Sequence, residues 1–376
     1  MKIAFISQNV APILGFRRDL IIHLVSKGHT VYAFALDYTS DSVEALKALG
    51  AIPIAYSLNK SGMNPIIDLK DTWLLSRKLK KIAPDVVFSF FVKPSIYGTL
   101  AAKLAGVPRR IAMLEGLGYM HTPGKTGFSI KKRLLQVIHG LLCSFSYQFA
   151  DEVLFLNNDD PKDLAKFAWL NKYKLKVIGP IGLNLKNYPF CPVNSTAPVR
   201  FILIARLLAE KGIFEYLEAA RIVKNQYPHV EFVVLGGLDP DNPAALTSSQ
   251  LDEVINDGII IYPGHVKNVS EWIAGSHVFV LPSYREGYPR STQEAMSIGR
   301  AVITTDVPGC RETVINGVNG FIVPAFDAQA LVKKMKFLSE NPFEVQRMGE
   351  ESARIASEKF DVHKINLLFE NIFLGK

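Results

Sequence analysis

The stretch Ser283-Tyr284-Arg285-Glu286-Gly287-Tyr288-Pro289-Arg290-Ser291-Thr292-Gln293-Glu294-Ala295 decides how the rest of the chain is read. It follows an apolar run at 277–281, whose unbroken hydrophobicity predicts a buried parallel strand. Pro289 then suits the first helical position, because it lacks an N–H and its φ is fixed. The N–H groups of Arg290, Ser291 and Thr292 would point out of the sheet edge, and such a helix start attracts anions. Glu286 stands before the helix and Glu294 about a turn and a half inside it. The element therefore offers a phosphate cradle with a carboxylate on either side. A nucleotide-sugar needs all three: N–H groups for the diphosphate, and carboxylates for the hydroxyls of ribose and sugar. A glycine turn into an ordinary amphipathic helix could carry the same two glutamates, so the remainder of the chain has to decide.

At 376 residues the chain exceeds one core of usual size, and two domains are expected. A hydrophobic content of 48% with 21% charged residues indicates a globular protein. Cys143, Cys191 and Cys310 lie far apart, without disulfide or zinc spacing, which suits a reducing cytosol. The start, Met1-Lys2-Ile3-Ala4-Phe5-Ile6-Ser7, reads as a first strand rather than a signal peptide. The longest apolar stretch, 134–150, is broken by Gln136, His139 and serines and falls short of a bilayer span. Charge is placed unevenly: residues 1–150 hold 19 Lys+Arg against 8 Asp+Glu, a net of +11, while the remainder is net −3. Such asymmetry suggests an anionic partner for the first half, either nucleic acid or anionic lipid.

Strands are expected at 3–7, 31–36, 52–56, 86–91, 111–114 and 153–156, with helices at 17–26, 43–49, 69–82, 96–104 and 130–149. Proline, glycine and asparagine cluster at 179–182 and 191–198 and mark a linker. The alternation then restarts, with strands at 201–205, 232–235, 259–262, 278–281, 301–304 and 321–323. Continuous apolar strands alternating with helices mean parallel sheets covered on both faces. The expected fold is α/β, two doubly wound domains facing each other across a cleft, with ligands at the carboxyl ends of the strands.

Strand 201–205 ends in Arg206, and Lys211-Gly212 follows at a helix start. This basic pair could reach one diphosphate and neutralise it. Gly236-Gly237 and Pro263-Gly264-His265 end two further strands, where glycine permits close backbone approach, and the backbone beside Gly264 is a seat for a base. Asp239-Pro240-Asp241 has the spacing of a metal-binding pair, but its proline-rich setting favours an ordinary turn. With Arg206 and Lys211 present, no metal is needed against the diphosphate. His23 and His139 sit inside helices and read as structural, whereas His121 follows a glycine-rich strand end and could face an acceptor. The helix expected at 130–149 opens with Lys131-Lys132-Arg133 beside apolar residues, a pattern shared by interfacial helices and by core helices.

The ordered set Ala205-Arg206, Lys211-Gly212, Leu235-Gly236-Gly237, Tyr262-Pro263-Gly264, Leu281-Pro282-Ser283-Tyr284-Arg285-Glu286-Gly287, Glu294-Ala295 and Asp306-Val307-Pro308-Gly309-Cys310-Arg311-Glu312 resembles the retaining glycosyltransferases of family 4, class GT-B. Leu114-Glu115-Gly116-Leu117-Gly118, Gly182-Leu183-Asn184-Leu185 and Gly237-Leu238-Asp239 with Asn242-Pro243 resemble one branch, which adds N-acetylgalactosamine or a related sugar to lipid-diphosphate-linked saccharides in bacterial glycan assembly. The resemblance implies an acceptor-side domain at 1–185, a nucleotide-sugar-binding domain at 186–357, and a helix at 358–376 packing back on the first. It implies catalytic roles for Glu286, Arg206 and Lys211. Donor binding would fall to Gly237, Gly264, His265, Gly287, Tyr288, Pro289, Arg290, Ser291 and Glu294. The acceptor side would comprise Gly15, Arg18, Lys93, Glu115, Gly116 and His121, although the first loop has one glycine where many members have two. The implied partners are a UDP-sugar, a polyprenyl-diphosphate sugar and the anionic inner face of the cytoplasmic membrane, with no nucleic acid, metal or cofactor. A UDP-sugar epimerase on the same fold and a non-catalytic nucleotide or anionic-lipid binding protein are the rival readings.

Overall fold

A computed structural model describes residues 1–59, 65–194, 197–240 and 242–376. The chain forms two compact units: Met1–His121 with Phe128–Gly182 and Val362–Lys376, and Leu183–Asp361 with Thr122–Gly127.

Unit 1 holds the strands β1 (Lys2–Ile6), β2 (Thr30–Ala35), β3 (Ile52–Ala55), β4 (Val86–Phe90), β5 (Arg109–Leu114), β6 (Glu152–Phe155) and β7 (Leu175–Val177). All pair in parallel, in the order β3-β2-β1-β4-β5-β6-β7. Helices α1 (Val10–Phe16), α2 (Arg18–Ser26) and α3 (Ser40–Ala48) belong to the outward run from β1 to β3. Helix α4 (Pro65–Ile82) makes the return from β3 to β4, α5 (Val92–Ala105) and α6 (Ile130–Tyr147) follow β4 and β5, and α7 (Asp160–Leu164) follows β6. Right-handed crossovers place the helices of the two runs on opposite faces of the sheet. In keeping with this, Leu75 and Leu79 of α4, Ile96 and Ala101 of α5, and Cys143 and Tyr147 of α6 share one buried core.

Unit 2 repeats the plan with β8 (Arg200–Ile204), β9 (Glu231–Leu235), β10 (Ile261–Gly264), β11 (Val278–Leu281), β12 (Ala301–Thr305) and β13 (Gly320–Val323), ordered β10-β9-β8-β11-β12-β13. Its helices are α8 (Ile213–Gln226), α9 (Ser248–Asn256), α10 (Val269–Ala274), α11 (Arg290–Ile298), α12 (Ala328–Glu340) and α13 (Pro342–Lys359). The last helix, α14 (Val362–Leu374), belongs to unit 1, where Phe369 and Phe373 lie against Phe88. The expectation of two doubly wound α/β domains is borne out. Strand order reverses beside β1 and β4 in unit 1, and beside β8 and β11 in unit 2. Such switch points open a crevice at the carboxyl ends of the strands.

Local differences from the expected elements have physical causes. Helix α1 contains Pro12 and Gly15, which mask its periodicity, and it is held from outside: Asp37, after β2, accepts from Val10 N (2.8 Å) and Asn9 Nδ2 (2.9 Å). Strand β7 is only three residues long, with Lys176 and Val177 exposed. Strand β10 starts two residues later than expected because Ile259 N still closes the turn after α9 by donating to Val254 O (3.0 Å). Helix α11 begins at Arg290 rather than Pro289, which sits at the N-cap in extended conformation. Tyr262 OH donates to Gly236 O (2.8 Å), and Gly236 N to Gly264 O (3.1 Å), tying the ends of β9 and β10.

Gly236 has φ +148°, and a Cβ there would lie 1.8 Å from Ala205 O, whereas nothing lies within 4 Å of a Cβ on Gly237. Gly236→Ala should therefore lower stability by roughly 3 kcal/mol. Gly237→Ala should stay within about 0.5 kcal/mol. Thermal unfolding of the two variants beside the parent checks this; equal midpoints for both would contradict the strand-end geometry.

Candidate active site

In unit 2, the loops after β8 and β11 meet at the switch point. Lys211 Nζ donates to Glu286 Oε1 at 2.6 Å, and Ser283 Oγ to the same oxygen at 2.7 Å. Lys211 and Glu286 are 22% and 14% exposed at the side chain, so this pair is largely withdrawn from water. The loop is clamped from both sides by glycines. Gly212, at φ +72°, would carry a Cβ 2.2 Å from Pro282 O. Gly309, at φ +81°, would carry one 2.3 Å from Glu286 O. Glu286 N donates to Pro308 O (3.0 Å), Tyr284 N to Glu210 O (2.9 Å), and Thr305 Oγ1 to Ser283 O (2.5 Å). Tyr284 OH donates to both carboxylate oxygens of Glu215 (2.8 and 2.9 Å), and its ring lies 4.0 Å from that of Phe326. Glu286 thus has little freedom to choose another rotamer or backbone position.

Helix α11 starts directly after this loop. Its first intrahelical bond runs from Gln293 N to Pro289 O, so the N–H groups of Arg290, Ser291 and Thr292 stand at the helix mouth. The Thr292 hydroxyl, fully buried, has no hydrogen-bond partner among the described residues. Glu294 Oε1 accepts from Tyr188 OH (2.9 Å) and Arg290 Nε (3.1 Å). Burial pushes the Glu294 carboxyl above its ordinary range, and the Arg290 charge and Tyr188 hydroxyl pull it back. Burial, then the Glu294 charge, pushes the Tyr188 phenol up to about 12, so Tyr188 is a hydroxyl donor at neutral pH. Tyr188 is itself anchored by Ser297 Oγ, which donates to Tyr188 O (2.7 Å).

Arg206 differs from Lys211. Its side chain is 62% exposed, and Nη1 reaches Asp239 Oδ2 at 3.2 Å. Asp239 is therefore a partner for an arginine; Asp241 lies outside the described residues. Gly237 O accepts from Leu207 N (3.2 Å), and His265 is exposed just beyond β10. Tyr288 OH donates to Glu312 O (3.3 Å). Burial, then the Glu286 charge, pushes the Cys310 thiol up to about 12, so it stays protonated and is a poor nucleophile.

In unit 1 the residues expected on the acceptor side fall into separate settings. Gly15 and Arg18 are exposed at the end of α1 and the start of α2. Lys93, in the first turn of α5, donates to Asn59 O (2.8 Å) and Asp68 Oδ1 (3.1 Å), and Tyr97 OH also donates to Asp68. Glu115 is paired with Arg17 rather than displayed. The Arg17 guanidinium is buried, 5.0 Å from the Phe90 ring centroid and 5.4 Å from that of Phe369. Gly116, two residues after β5, adopts φ +130°. His121, expected on the acceptor side, is buried, its Nε2 3.1 Å from His139 Nδ1, and His139 Nε2 lies 3.3 Å from Cys143 Sγ. Arg17, Tyr188, Ser283 and Tyr284 were not anticipated as supporting residues. Ser283 and Tyr284 stand beside Glu286 in the stretch quoted first, and Arg17 stands in an Arg17-Arg18 pair, whereas nothing around Tyr188 marks it.

Comparison with known proteins bears on this geometry. Residues 192–355 match the family described as Glycosyl transferases group 1, and residues 3–157 match Glycosyl transferase 4-like. Over 353 residues the chain is 31% identical to the N,N'-diacetylbacillosaminyl-diphospho-undecaprenol alpha-1,3-N-acetylgalactosaminyltransferase of Campylobacter jejuni, covering 91% of this chain and 90% of that protein. It is 26% identical to the UDP-Gal:alpha-D-GlcNAc-diphosphoundecaprenol alpha-1,3-galactosyltransferase of Escherichia coli, covering 80% and 76%. The crystal structure of Anabaena HepE in complex with UDP and glucose has the same fold, with a TM-score of 0.77 at 17% identity and 100% of both chains covered. This chain is thus a glycosyltransferase and belongs to family 4 of those enzymes, with the GT-B fold.

Proposed function

We propose that the enzyme transfers a HexNAc or hexose from a UDP-sugar, with retention, to a polyprenyl-diphosphate-linked saccharide in bacterial surface glycan assembly. The observation that carries this reading is the set of three cation–carboxylate pairs at the carboxyl ends of the unit 2 strands: Arg206–Asp239 and Lys211–Glu286 on the loops after β8, β9 and β11, and Arg290–Glu294 in the amide-rich start of α11. A diphosphate offers each cation a second anion and gives the helix N-terminus its charge complement. The exposed Arg206–Asp239 pair holds weakly and exchanges readily for phosphate. Lys211 keeps Glu286 in place while facing the diphosphate.

Glu286 Oε1 is taken by Lys211 and Ser283, so its other oxygen serves a hydroxyl of the transferred sugar. Glu294, fixed by Tyr188, holds the ribose hydroxyls. Gly237, Gly264, His265, Gly287, Tyr288, Pro289 and Ser291 line the donor path, with the base beside Gly264. In the chemical step the bond from the anomeric carbon to the β-phosphate oxygen breaks, and the acceptor hydroxyl oxygen bonds to the same face. The hydroxyl proton passes to the departing phosphate oxygen, and UDP leaves. Arg206 and Lys211 stabilise the charge that grows on that oxygen, and Glu286 faces the ring as it becomes cationic. The acceptor binds to unit 1 near Gly15, Arg18, Lys93 and Gly116, with Glu115 acting through Arg17. The names of the two relatives support a diphosphoundecaprenol acceptor. The enzyme would work from the cytoplasmic side, peripheral on the inner membrane face.

UDP release measured across UDP-sugars, with and without a short polyprenyl-diphosphate sugar, tests the reading. Acceptor-dependent release with a new α-linkage is expected. Release of UDP and altered free sugar without acceptor would indicate an epimerase, and no release with any pair would indicate a binding protein.

Side-chain roles separate kinetically. Arg206→Ala and Lys211→Ala should each raise the barrier by roughly 2–4 kcal/mol. Their stabilities should diverge: Arg206→Ala stays within about 0.5 kcal/mol of the parent, while Lys211→Ala loses roughly 1–3 kcal/mol by stranding Glu286. Wild-type turnover in the double variant would contradict the assignment. Glu294→Gln and Tyr188→Phe should act mainly on donor KM, and Glu286→Gln mainly on kcat, because only the last contact strengthens in the transition state. Steady-state kinetics at saturating acceptor decides it; the opposite split would reverse the two glutamates.

A further inference from the structure

The layer formed by α4, α5 and α6 has an unusual outer surface. On α6, Ile130, Leu134, Val137, Leu141 and Phe145 make one exposed stripe, of which the most covered, Val137, is still 44% exposed. Their spacing keeps them on one side of the helix over about 22 Å. The opposite side of α6 carries Gln136, His139, Cys143 and Tyr147 and is buried. The pattern expected at 130–149 thus resolves into a buried face and an exposed apolar face. Next to the C-terminal half of α6 stand Trp169, 85% exposed, and Tyr173, 97% exposed; Trp169 N donates to Ser144 Oγ (2.8 Å), which fixes the segment there. On α4, Ile66, Leu69 and Trp73 are likewise exposed, with Arg77 stacked 5.4 Å from the Trp73 ring centroid.

The exposed charges on these three helices all have one sign. Helix α6 contains Lys131, Lys132 and Arg133 and no acidic residue. Helix α5 contains Lys93 and Lys103 and no acidic residue. Helix α4 has Lys70, Arg77, Lys78, Lys80 and Lys81, and its two carboxylates, Asp68 and Asp71, are buried on the inner side. No exposed carboxylate therefore interrupts the outer face of these three helices among the described residues. No helix among those residues is long and apolar enough to cross a membrane.

We infer that the outer face of α4–α5–α6 lies on an anionic lipid bilayer, with the α6 stripe, Trp73 and Trp169 entering the headgroup boundary and the lysines and arginines over the lipid phosphates. An amphipathic helix lying in the interface needs an apolar stripe flanked by cations, and aromatic side chains seat at that depth. A second copy of the chain fits poorly, because a two-fold contact through this layer would set cation against cation with no carboxylate to answer. A nucleic-acid backbone would match the charge and leave the apolar stripe unused. The inference rests on the lipid-linked acceptor of the proposed function and names the surface that brings the enzyme to it.

The full chain should float with vesicles of phosphatidylcholine and phosphatidylglycerol, and less as salt rises, because surface attraction is screened. It should float far less with phosphatidylcholine alone. A Leu134→Ser, Leu141→Ser, Phe145→Ser variant should lose roughly tenfold or more in vesicle affinity. A Lys131→Ser, Lys132→Ser, Arg133→Ser variant should lose the preference for anionic vesicles. Both should keep UDP release with a water-soluble short-chain acceptor, a readout that fails only if the proposed activity fails. Tryptophan emission should shift to the blue on vesicles, and less so in a Trp169→Phe variant. Unchanged flotation in both multiple variants would overturn the inference. So would a dimer in sedimentation that the apolar variant dissolves, or binding that follows nucleic acid rather than lipid.

Discussion

The ion pair of Lys211 with Glu286 is the contact on which the proposed donor site depends. It joins the loop after β8 to the loop after β11, the two strands that flank the reversal of strand order in unit 2. Ser283 adds a second donor to the same carboxylate oxygen. A carboxylate with two donors on one oxygen, and backbone packed against glycine on both sides, is pre-positioned before any ligand arrives. That is what electrostatic catalysis requires, since groups that need not reorganise during the reaction cost nothing at that moment. The clamp explains why glycine stands at 212 and 309: each lies at positive φ with another backbone oxygen where a Cβ would be. The Tyr284–Glu215 bonds and the Tyr284–Phe326 contact extend the same bracing to α8 and the loop after β13.

The two units use charge differently at corresponding places. In unit 2 the cations at the strand ends are paired yet partly open to solvent, which is what the proposed exchange for a phosphate requires. In unit 1 the corresponding cation, Arg17, is buried with Glu115 among aromatic rings. Burial pushes the Glu115 carboxyl up, against the pull of Arg17, and removing one partner would strand a charge in a dry site. This pair stiffens the start of α2 and ties it to β5 and α14. Its exposed neighbours, Arg18 and Gly15, are left as the accessible part of that loop.

Much of this was legible in the sequence because strands buried on both faces are unbroken apolar runs, and in such folds ligands gather at their carboxyl ends. Arg206, Lys211, Glu286 and Glu294 could be singled out that way. Their pairing could not, since Lys211 and Glu286 are 75 residues apart and only the strand order brings them together. Tyr188 sits in a stretch with no periodicity, and nothing in its neighbours points to Glu294. Helix α1 is not legible in the sequence because proline and glycine inside it are compensated by Asp37, a contact from another strand end. His121 has the sequence context of a loop residue, and its burial comes from His139 of α6 and Phe167, contacts the local sequence does not show. The outward face of α6 is ambiguous in the sequence because its apolar residues spread around the helix, Leu135, Ile138 and Leu142 half-buried beside the exposed stripe, while the buried face itself carries Gln136 and His139.

The central claim is that Lys211 and Glu286 act as one unit in sugar transfer. A double-mutant cycle on kcat/KM with Lys211→Ala, Glu286→Gln and the combined variant measures this directly. The account predicts strong non-additivity, with the double variant losing no more than the worse single variant, a coupling of roughly 1–3 kcal/mol. Losses that simply add would mean that the two side chains serve the reaction independently, and would contradict the account.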